Sequence, residues 1–239
     1  MIIIRKIIKL TILGIIILIV FWIYVCAKNN KIYYVVLGDT ISTGMNPYGK
    51  KDYGYSDYLK DSLKIRYYKN YAKENNTTID IIEDIKYKPK IKKDLRESNL
   101  VTLTIGLTDF NNSIENKTID VNKILDLKDN INKIIPNIDK TLKELRKYAK
   151  EKIIIIGYYN PVPFLFNTSA KDLDILFAYI DEEYRKLSEK YDCIYISTYE
   201  IFKNNDYLPN PRSIYPNTKG YKEISKLIKK YLQTAKSNI

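Results

Sequence analysis

The stretch that decides the fold is VVLGDTISTG, residues 35–44. An apolar run ends at Gly38-Asp39, the hydroxyl residue Thr40 follows, and small residues then begin a helical turn. This order is typical of a hydroxyl group held at the tip of a buried strand. The 239-residue chain contains no histidine, however, so the usual base for such a group is missing.

Further apolar runs predict three more strands, at residues 100–105, 153–156 and 193–197, besides the one at 32–37. Between them lie segments with helical periodicity, at residues 54–66, 77–85, 90–98, 121–150, 170–191 and 218–233. We expect Pro136 to break the helix over 121–150. Strands that alternate with helices indicate an α/β fold with a parallel sheet covered on both faces. Polar sites in such sheets lie beyond the carboxyl ends of the strands.

Residues 1–31 differ from the rest of the chain and predict one N-terminal transmembrane helix. An uncharged run of 18 residues, from Leu10 to Ala27, can cross a hydrocarbon core of about 30 Å. Basic residues precede it, which favours a cytoplasmic N-terminus and a single-pass protein of the cell membrane. Residues 32–239 then form one extracytoplasmic domain. A cleaved signal peptide and lipidation at Cys26 are the alternatives.

The charge balance limits the classes of partner. Residues 1–31 hold five of the 40 basic residues and no acidic ones, so the domain has 35 basic and 28 acidic residues. A domain with a net charge of +7 suits anionic lipid or an acidic wall polymer, although a lysine-rich composition also explains it. Outward topology and scattered lysines argue against nucleic acid.

Cysteine and histidine usage excludes several kinds of site. Cys26 and Cys193 are the only cysteines, and Cys26 lies in the predicted anchor, so no disulfide can form within the domain. Without histidine we predict no zinc site, no other metal and no cofactor. Cys193 begins an apolar run and is expected to be buried.

Five motifs in order resemble the SGNH (GDSL-type) hydrolase family, and in particular its lipase-like and esterase-like bacterial members, over roughly residues 32–235. They are Gly38-Asp39-Thr40, the GYSDYL of residues 54–59, Gly106-Leu107-Thr108-Asp109, the GYYNP of residues 157–161, and the segment 212–221. The resemblance implies a flavodoxin-like three-layer α/β/α sandwich with a central parallel sheet.

The chain departs from the family pattern at the catalytic positions. The resemblance aligns the nucleophilic Ser with Thr40, the His with Tyr215, and the Asp that orients the His with Arg212. The oxyanion-hole Asn aligns with Thr108, and the oxyanion-hole Gly with Asn75. A hydroxyl group needs a base during attack, and a tyrosine with a pKa near 10 normally keeps its proton at neutral pH. We therefore interpret the chain as a divergent, non-catalytic relative.

In this interpretation the remnant cleft binds a lipid, a cell-wall glycan or an acyl ester. The candidate ligand-binding residues are Asp39, Thr40, Thr108, Asp109, Asn160 and Tyr215. The aromatic pair Tyr158-Tyr159 is a candidate for stacking on a sugar ring.

Two other hypotheses remain open at this point. In the first, the domain is an active esterase, lipase or acyltransferase in which Thr40 is the nucleophile and Lys73, Lys219 or Asp109 is the base. In the second, the domain is a structural interaction module with a filled cleft and an apolar contact patch.

Overall fold

The computed structural model describes residues 12–22, 32–115, 124–160, 170–203 and 206–237, and it divides the chain into two compact units, Met1–Ile32 and Tyr33–Ile239. In the first unit, residues 12–22 are helical and their large apolar side chains are exposed. Within the described ranges, no helix has both the length and the apolar character needed to cross a bilayer. Much of the predicted anchor, residues 1–11 and 23–31, lies outside those ranges, so the anchor stays a prediction.

The second unit is built on a five-stranded, wholly parallel sheet. Its strands are β1 (Tyr33–Leu37), β2 (Tyr67–Asn70), β3 (Leu100–Leu103), β4 (Lys152–Ile156) and β5 (Ile194–Ile196). Their spatial order is β2-β1-β3-β4-β5. This is the flavodoxin-like order, with its topological switch point between β1 and β3. The predicted α/β fold with a central parallel sheet is confirmed.

Eight helices of the described chain cover the two faces of the sheet. They are α1 (Tyr55–Ser62), α2 (Thr78–Tyr87), α3 (Pro89–Glu97), α4 (Leu107–Glu115), α5 (Ile124–Arg146), α6 (Ala170–Lys190), α7 (Tyr199–Lys203) and α8 (Thr218–Ser237). Helices α1 and α8 pack against each other, as do α2 and α5, and α5 and α6. The alternation of side chains along β1 feeds both layers. Val35 and Leu37 join the large apolar cluster with α2, α3, α5 and α6, and Tyr34 and Val36 are buried on the other face.

The structure corrects three expectations about single elements. Helix α5 runs through Pro136 without a break. Pro136 is exposed, and its neighbours Ile134 and Ile138 bury their side chains in the core, which compensates for the lost backbone hydrogen bond.

Strand β2 was not predicted, because its four residues are mostly exposed and lack an apolar pattern. Cys193 is only partly buried, and its thiol lies 3.7 Å from the Arg146 guanidinium.

Candidate functional site

The loop after β1 places a hydroxyl group at the switch point of the sheet. Gly38 has φ +145°, and a Cβ at this position would lie 2.5 Å from Thr104 Oγ1, so only glycine fits. Asp39 follows as the N-cap of a short 3₁₀ helix, Thr40–Thr43, and its carboxylate accepts the Ile41 N–H at 3.1 Å. The cap fixes Thr40 as the first residue of that helix.

The structure brings Thr40 and Asn75 together. Thr40 is buried, and its Oγ1 accepts a hydrogen bond from the Asn75 backbone N–H at 2.9 Å. Asn75 has φ +57°, in the left-handed region that asparagine tolerates better than most residues. The Lys73 N–H donates to the Gly38 carbonyl at 3.2 Å and holds this segment against the β1 loop. A backbone donor therefore meets the hydroxyl group at the two positions that the family resemblance pairs.

Asp39 is the centre of a buried hydrogen-bond network and not a ligand-facing group. Its side chain is 1% exposed. One carboxylate oxygen accepts from Thr104 Oγ1 at 2.7 Å, and the other accepts from the Tyr158 hydroxyl. Burial raises the pKa of Asp39 and holds the pKa of Tyr158 well above its usual value, and the Asp39 charge adds to the latter effect. The expectation that Asp39 contacts a ligand is wrong, because its oxygens are enclosed and engaged.

The network continues away from Asp39 under the loop. Ser42 Oγ lies 2.8 Å from Thr104 Oγ1 and 2.7 Å from the Tyr55 hydroxyl, which in turn lies 3.2 Å from Thr102 Oγ1. Sequence reasoning missed this role. The available signal was the pair of threonines at 102 and 104 in an otherwise apolar strand, since buried hydroxyl groups require partners.

Asp109 and Thr108 lie at the end of β3, in the first turn of α4. The Asp109 carboxylate accepts from the Thr78 N–H at 2.9 Å and from Thr78 Oγ1 at 2.7 Å, so it binds the start of α2. Burial raises the pKa of Asp109. Thr108 is 7% exposed. Asn160, after β4, is half-buried and is the last residue before the undescribed range 161–169.

The segment before α8 holds the other two family positions. Tyr215 is half-buried, and its N–H donates to Ser213 Oγ at 3.3 Å. The preceding Ile214 carbonyl accepts from the Tyr159 hydroxyl at 2.8 Å, which fixes the segment against the end of β4. Arg212 is exposed, and its N–H donates to Asn210 Oδ1 at 3.0 Å.

Neither lysine considered as a base is placed for that role by its contacts. The Lys73 ammonium group forms an ion pair with Asp84 on α2, and Lys88 contacts the other oxygen of the same carboxylate at 2.5 Å. Lys219 is exposed in the first turn of α8. The described parts of the chain also contain no cluster of three or more side chains that could hold a metal ion.

The hypothesis that Tyr158 and Tyr159 stack on a sugar is wrong. Tyr158 is 8% exposed and donates to Asp39, and Tyr159 is 1% exposed. The Tyr159 ring stacks on Phe202 with the ring centroids 4.0 Å apart. The rings of Tyr158 and Tyr159 therefore belong to the core beneath the site.

An apolar pocket lies beside the network. It is partly open to solvent and lies between the end of β3 and helices α4, α5 and α6. Gly106, Leu107 and Phe110 form the end nearest the strand, and Tyr158 lines the pocket while donating to Asp39. The remaining lining side chains are Ile131, Ile134, Ile135, Ile138, Leu173, Leu176, Phe177, Ile180 and Tyr184. Such a lining suits a hydrocarbon chain better than a sugar.

Solved structures share this fold at low sequence identity. The lipase Lip_vut3 from a goat rumen metagenome superposes with a TM-score of 0.68 at 20% identity, covering 83% of this chain and 96% of that one. Phospholipase A1 from Streptomyces albidoflavus NA297 gives 0.62 at 14% identity, covering 84% and 99%. Axe2, an acetylxylan esterase from Geobacillus stearothermophilus, gives 0.58 at 15% identity, covering 82% and 91%. At these identities the similarity shows the fold alone.

The sequence itself matches a family. A search of curated proteins found no relative. The family model described as the GDSL-like Lipase/Acylhydrolase family matches residues 36–223, which is most of the second compact unit and includes Thr40, Asn75, Thr108, Arg212 and Tyr215. The chain belongs to the GDSL-like lipase/acylhydrolase family.

Proposed function

We propose that this chain is a non-catalytic member of the family that binds an acyl-ester ligand in the remnant cleft. The observation that carries the proposal concerns the candidate bases for the Thr40 hydroxyl group. The whole chain lacks histidine. Two of the groups considered as bases, Asp109 and Lys73, are already engaged by Thr78 and Asp84, and the third, Lys219, is exposed in the first turn of α8. A hydroxyl group without a base is a weak nucleophile.

The pocket supports an acyl ester over a glycan as the ligand. Its walls are apolar, and Leu107, which lines it, is next in sequence to Thr108, which takes the family's oxyanion-hole position. An acyl chain in the pocket would bring its ester group to the loops that carry Thr40 and Thr108. These two hydroxyl groups supply the polar contacts that orient a ligand.

The proposal places the domain outside the cell membrane, held by an uncleaved helix within residues 1–31. The support is the uncharged run from Leu10 to Ala27 and the basic residues before it. Treating cells that express the full chain with protease from outside tests this topology. Digestion of the domain with retention of a membrane-bound N-terminal fragment is expected, and full protection would contradict it.

The active alternative has one observation in its favour. Thr40 Oγ1 already contacts the Asn75 N–H, so one nucleophile-to-donor distance of 2.9 Å is in place. One measurement distinguishes the two functions. A short-chain p-nitrophenyl ester is mixed with the domain of residues 32–239. Saturable binding with the ester recovered intact supports the proposal, and release of p-nitrophenol that depends on Thr40 supports the alternative.

A variant pair tests the pocket. Leu107→Gln puts an amide in the wall of the pocket. It is expected to weaken ester binding at least about tenfold, because the amide must be desolvated without a partner. Leu125→Gln makes the same exchange at a residue that is 70% exposed and does not line the pocket, and it is expected to leave binding unchanged. Equal effects of the two substitutions would contradict the assignment.

A further inference from the structure

The net charge of the domain is concentrated in two segments that the fold joins. Residues 55–70 and 218–237 contain 10 of its 35 lysines and arginines and 3 of its 28 acidic residues. The rest of the domain holds 25 of each sign and is formally neutral. These segments contain α1, β2 and α8. The lysines therefore look scattered only along the sequence.

Side-chain contacts join the two segments into one surface, which we call the basic face. Lys222 on α8 lies over the Tyr58 ring of α1, with its nitrogen 5.3 Å from the ring centroid. Lys229 donates to the Ser62 carbonyl at the end of α1, over 3.4 Å. The exposed basic side chains of the face are those of Lys64, Arg66, Lys219, Lys222, Lys226 and Lys230.

Little of this charge is neutralised within the described part of the chain. Asp61 pairs with Lys60, Glu223 pairs with Lys226, and Asp57 accepts from the Gly54 N–H and the Tyr68 hydroxyl. Within the described residues, the other five exposed basic side chains of the face form no ion pair. A surface with this much unpaired charge attracts polyanions.

The basic face extends to the edge of the sheet where the domain begins. Tyr33, the first residue of β1, pairs with Tyr67, the first residue of β2, so Arg66 lies at that edge. The Lys229 ammonium group also lies near that edge, because it donates to the carbonyl of Ser62 at the end of α1. The apolar segment of residues 1–31 immediately precedes this edge in the chain. The candidate cleft lies at the opposite edge, beyond the carboxyl ends of β1 and β3.

We propose that the basic face binds anionic phospholipid headgroups, with Lys64, Arg66, Lys229 and Lys230 nearest the bilayer. Each lysine or arginine near an anionic membrane surface raises partitioning about fivefold. The 53% exposed ring of Tyr67 adds an aromatic group suited to the interface. The cleft then faces away from the membrane. This inference goes beyond the ligand bound in the cleft and shares only the placement of the N-terminal segment with the proposed function.

Vesicle binding by residues 32–239 tests the inference. This range contains the whole sheet and core, and solved relatives correspond to it over nearly their full length, so it is an independent folding unit. The domain is sedimented with vesicles of phosphatidylcholine alone, or of phosphatidylcholine with an equal amount of phosphatidylglycerol. We expect binding at least about tenfold stronger to the anionic vesicles, and weaker binding as salt screens the charges.

Two quadruple variants separate the basic face from net charge. Replacing Lys64, Arg66, Lys229 and Lys230 by Gln is expected to reduce binding to anionic vesicles at least about tenfold. Replacing Lys86, Lys90, Lys133 and Lys143 by Gln removes the same charge from exposed positions on α2, α3 and α5, and is expected to change binding less than about twofold.

Three results would overturn the inference. Equal losses of vesicle binding in the two quadruple variants would show that net charge alone, and not the basic face, determines binding. Binding to soluble polyphosphate without binding to anionic vesicles would assign the face to a different polyanion. Equal binding to neutral and anionic vesicles would remove the role of charge. Thermal unfolding verifies that both variants fold, and ester binding in solution tests the cleft separately, so the two proposals can fail independently.

Discussion

The backbone N–H of Asn75 donates a hydrogen bond of 2.9 Å to Oγ1 of Thr40. The two residues are separated by the whole of α1 and β2, and they meet beyond the carboxyl ends of β1 and β2 because these strands are adjacent and parallel. The fold thus holds a hydroxyl group and a backbone donor where family chemistry would use them. In the proposed function, no group of the described site takes the proton of that hydroxyl.

Restoring the family residues is therefore expected to create activity. The change combines Thr40→Ser, Thr108→Asn, Arg212→Asp and Tyr215→His. We expect p-nitrophenyl acetate hydrolysis to rise at least about 100-fold over the parent domain, because a base and an oxyanion donor are each worth a factor of this order. The rate should rise with pH through the histidine range, near 6 to 7.

The control for this gain is the same set of substitutions without Tyr215→His. It retains the new serine and oxyanion donor but has no imidazole, so its rate should stay at background. A full set that is no faster than this control would mean that the loop before α8 does not bring position 215 to position 40.

Asp109 is expected to act through stability. Asp109→Ala leaves the Thr78 N–H and hydroxyl group without their carboxylate partner at the start of α2. We expect the free energy of unfolding to fall by about 1–3 kcal/mol in urea denaturation. Glu83→Ala, at an exposed position on the same helix, should change it by less than about 0.5 kcal/mol. Equal effects would show that the Asp109 contact contributes nothing specific.

The raised pKa of Asp39 makes stability depend on pH with a definite sign. Because burial raises its pKa in the folded state, Asp39 keeps its proton to higher pH in the folded than in the unfolded chain. The free energy of unfolding then falls as pH rises from the unfolded pKa, near 3.9, through the raised folded value. Asp39→Asn removes this group, so the decline should be smaller in the variant.

The comparison with the parent domain isolates Asp39 from other titrating groups. Asp84, whose pKa is lowered by Lys73 and Lys88 against an opposing burial effect, contributes with the opposite sign in both proteins. Urea denaturation between pH 4 and 7 gives the two curves. Parallel curves would contradict a buried carboxylate at position 39 that resists ionisation.

The sequence predicted the elements that carry apolar patterns. Strands of a parallel sheet that are buried on both faces have continuous apolar sequences. This pattern made three strands predictable, at residues 32–37, 100–105 and 153–156. Strand β2 carries no such signal, because it is a short edge strand with lysine and asparagine. Helix α4 was missed because its first turn coincides with the loop motif at 106–109.

The roles within the site were harder to predict than its position. Asp39 was expected to face a ligand, but its partners Thr104 and Tyr158 are 65 and 119 residues away, and only the folded chain shows that they enclose it. The basic face was also unpredictable from the sequence, because α8 is far along the chain from α1 and β2 and only the fold brings them together. Local patterns determine where a sheet ends, and long-range contacts determine which polar groups remain available there.

The most direct test of the central claim is ester hydrolysis by residues 32–239, measured beside Thr40→Ala with p-nitrophenyl acetate and butyrate. A non-catalytic domain predicts equal, background-level rates for the two proteins. A rate that the parent has and the variant loses would contradict the account and establish Thr40 as a working nucleophile.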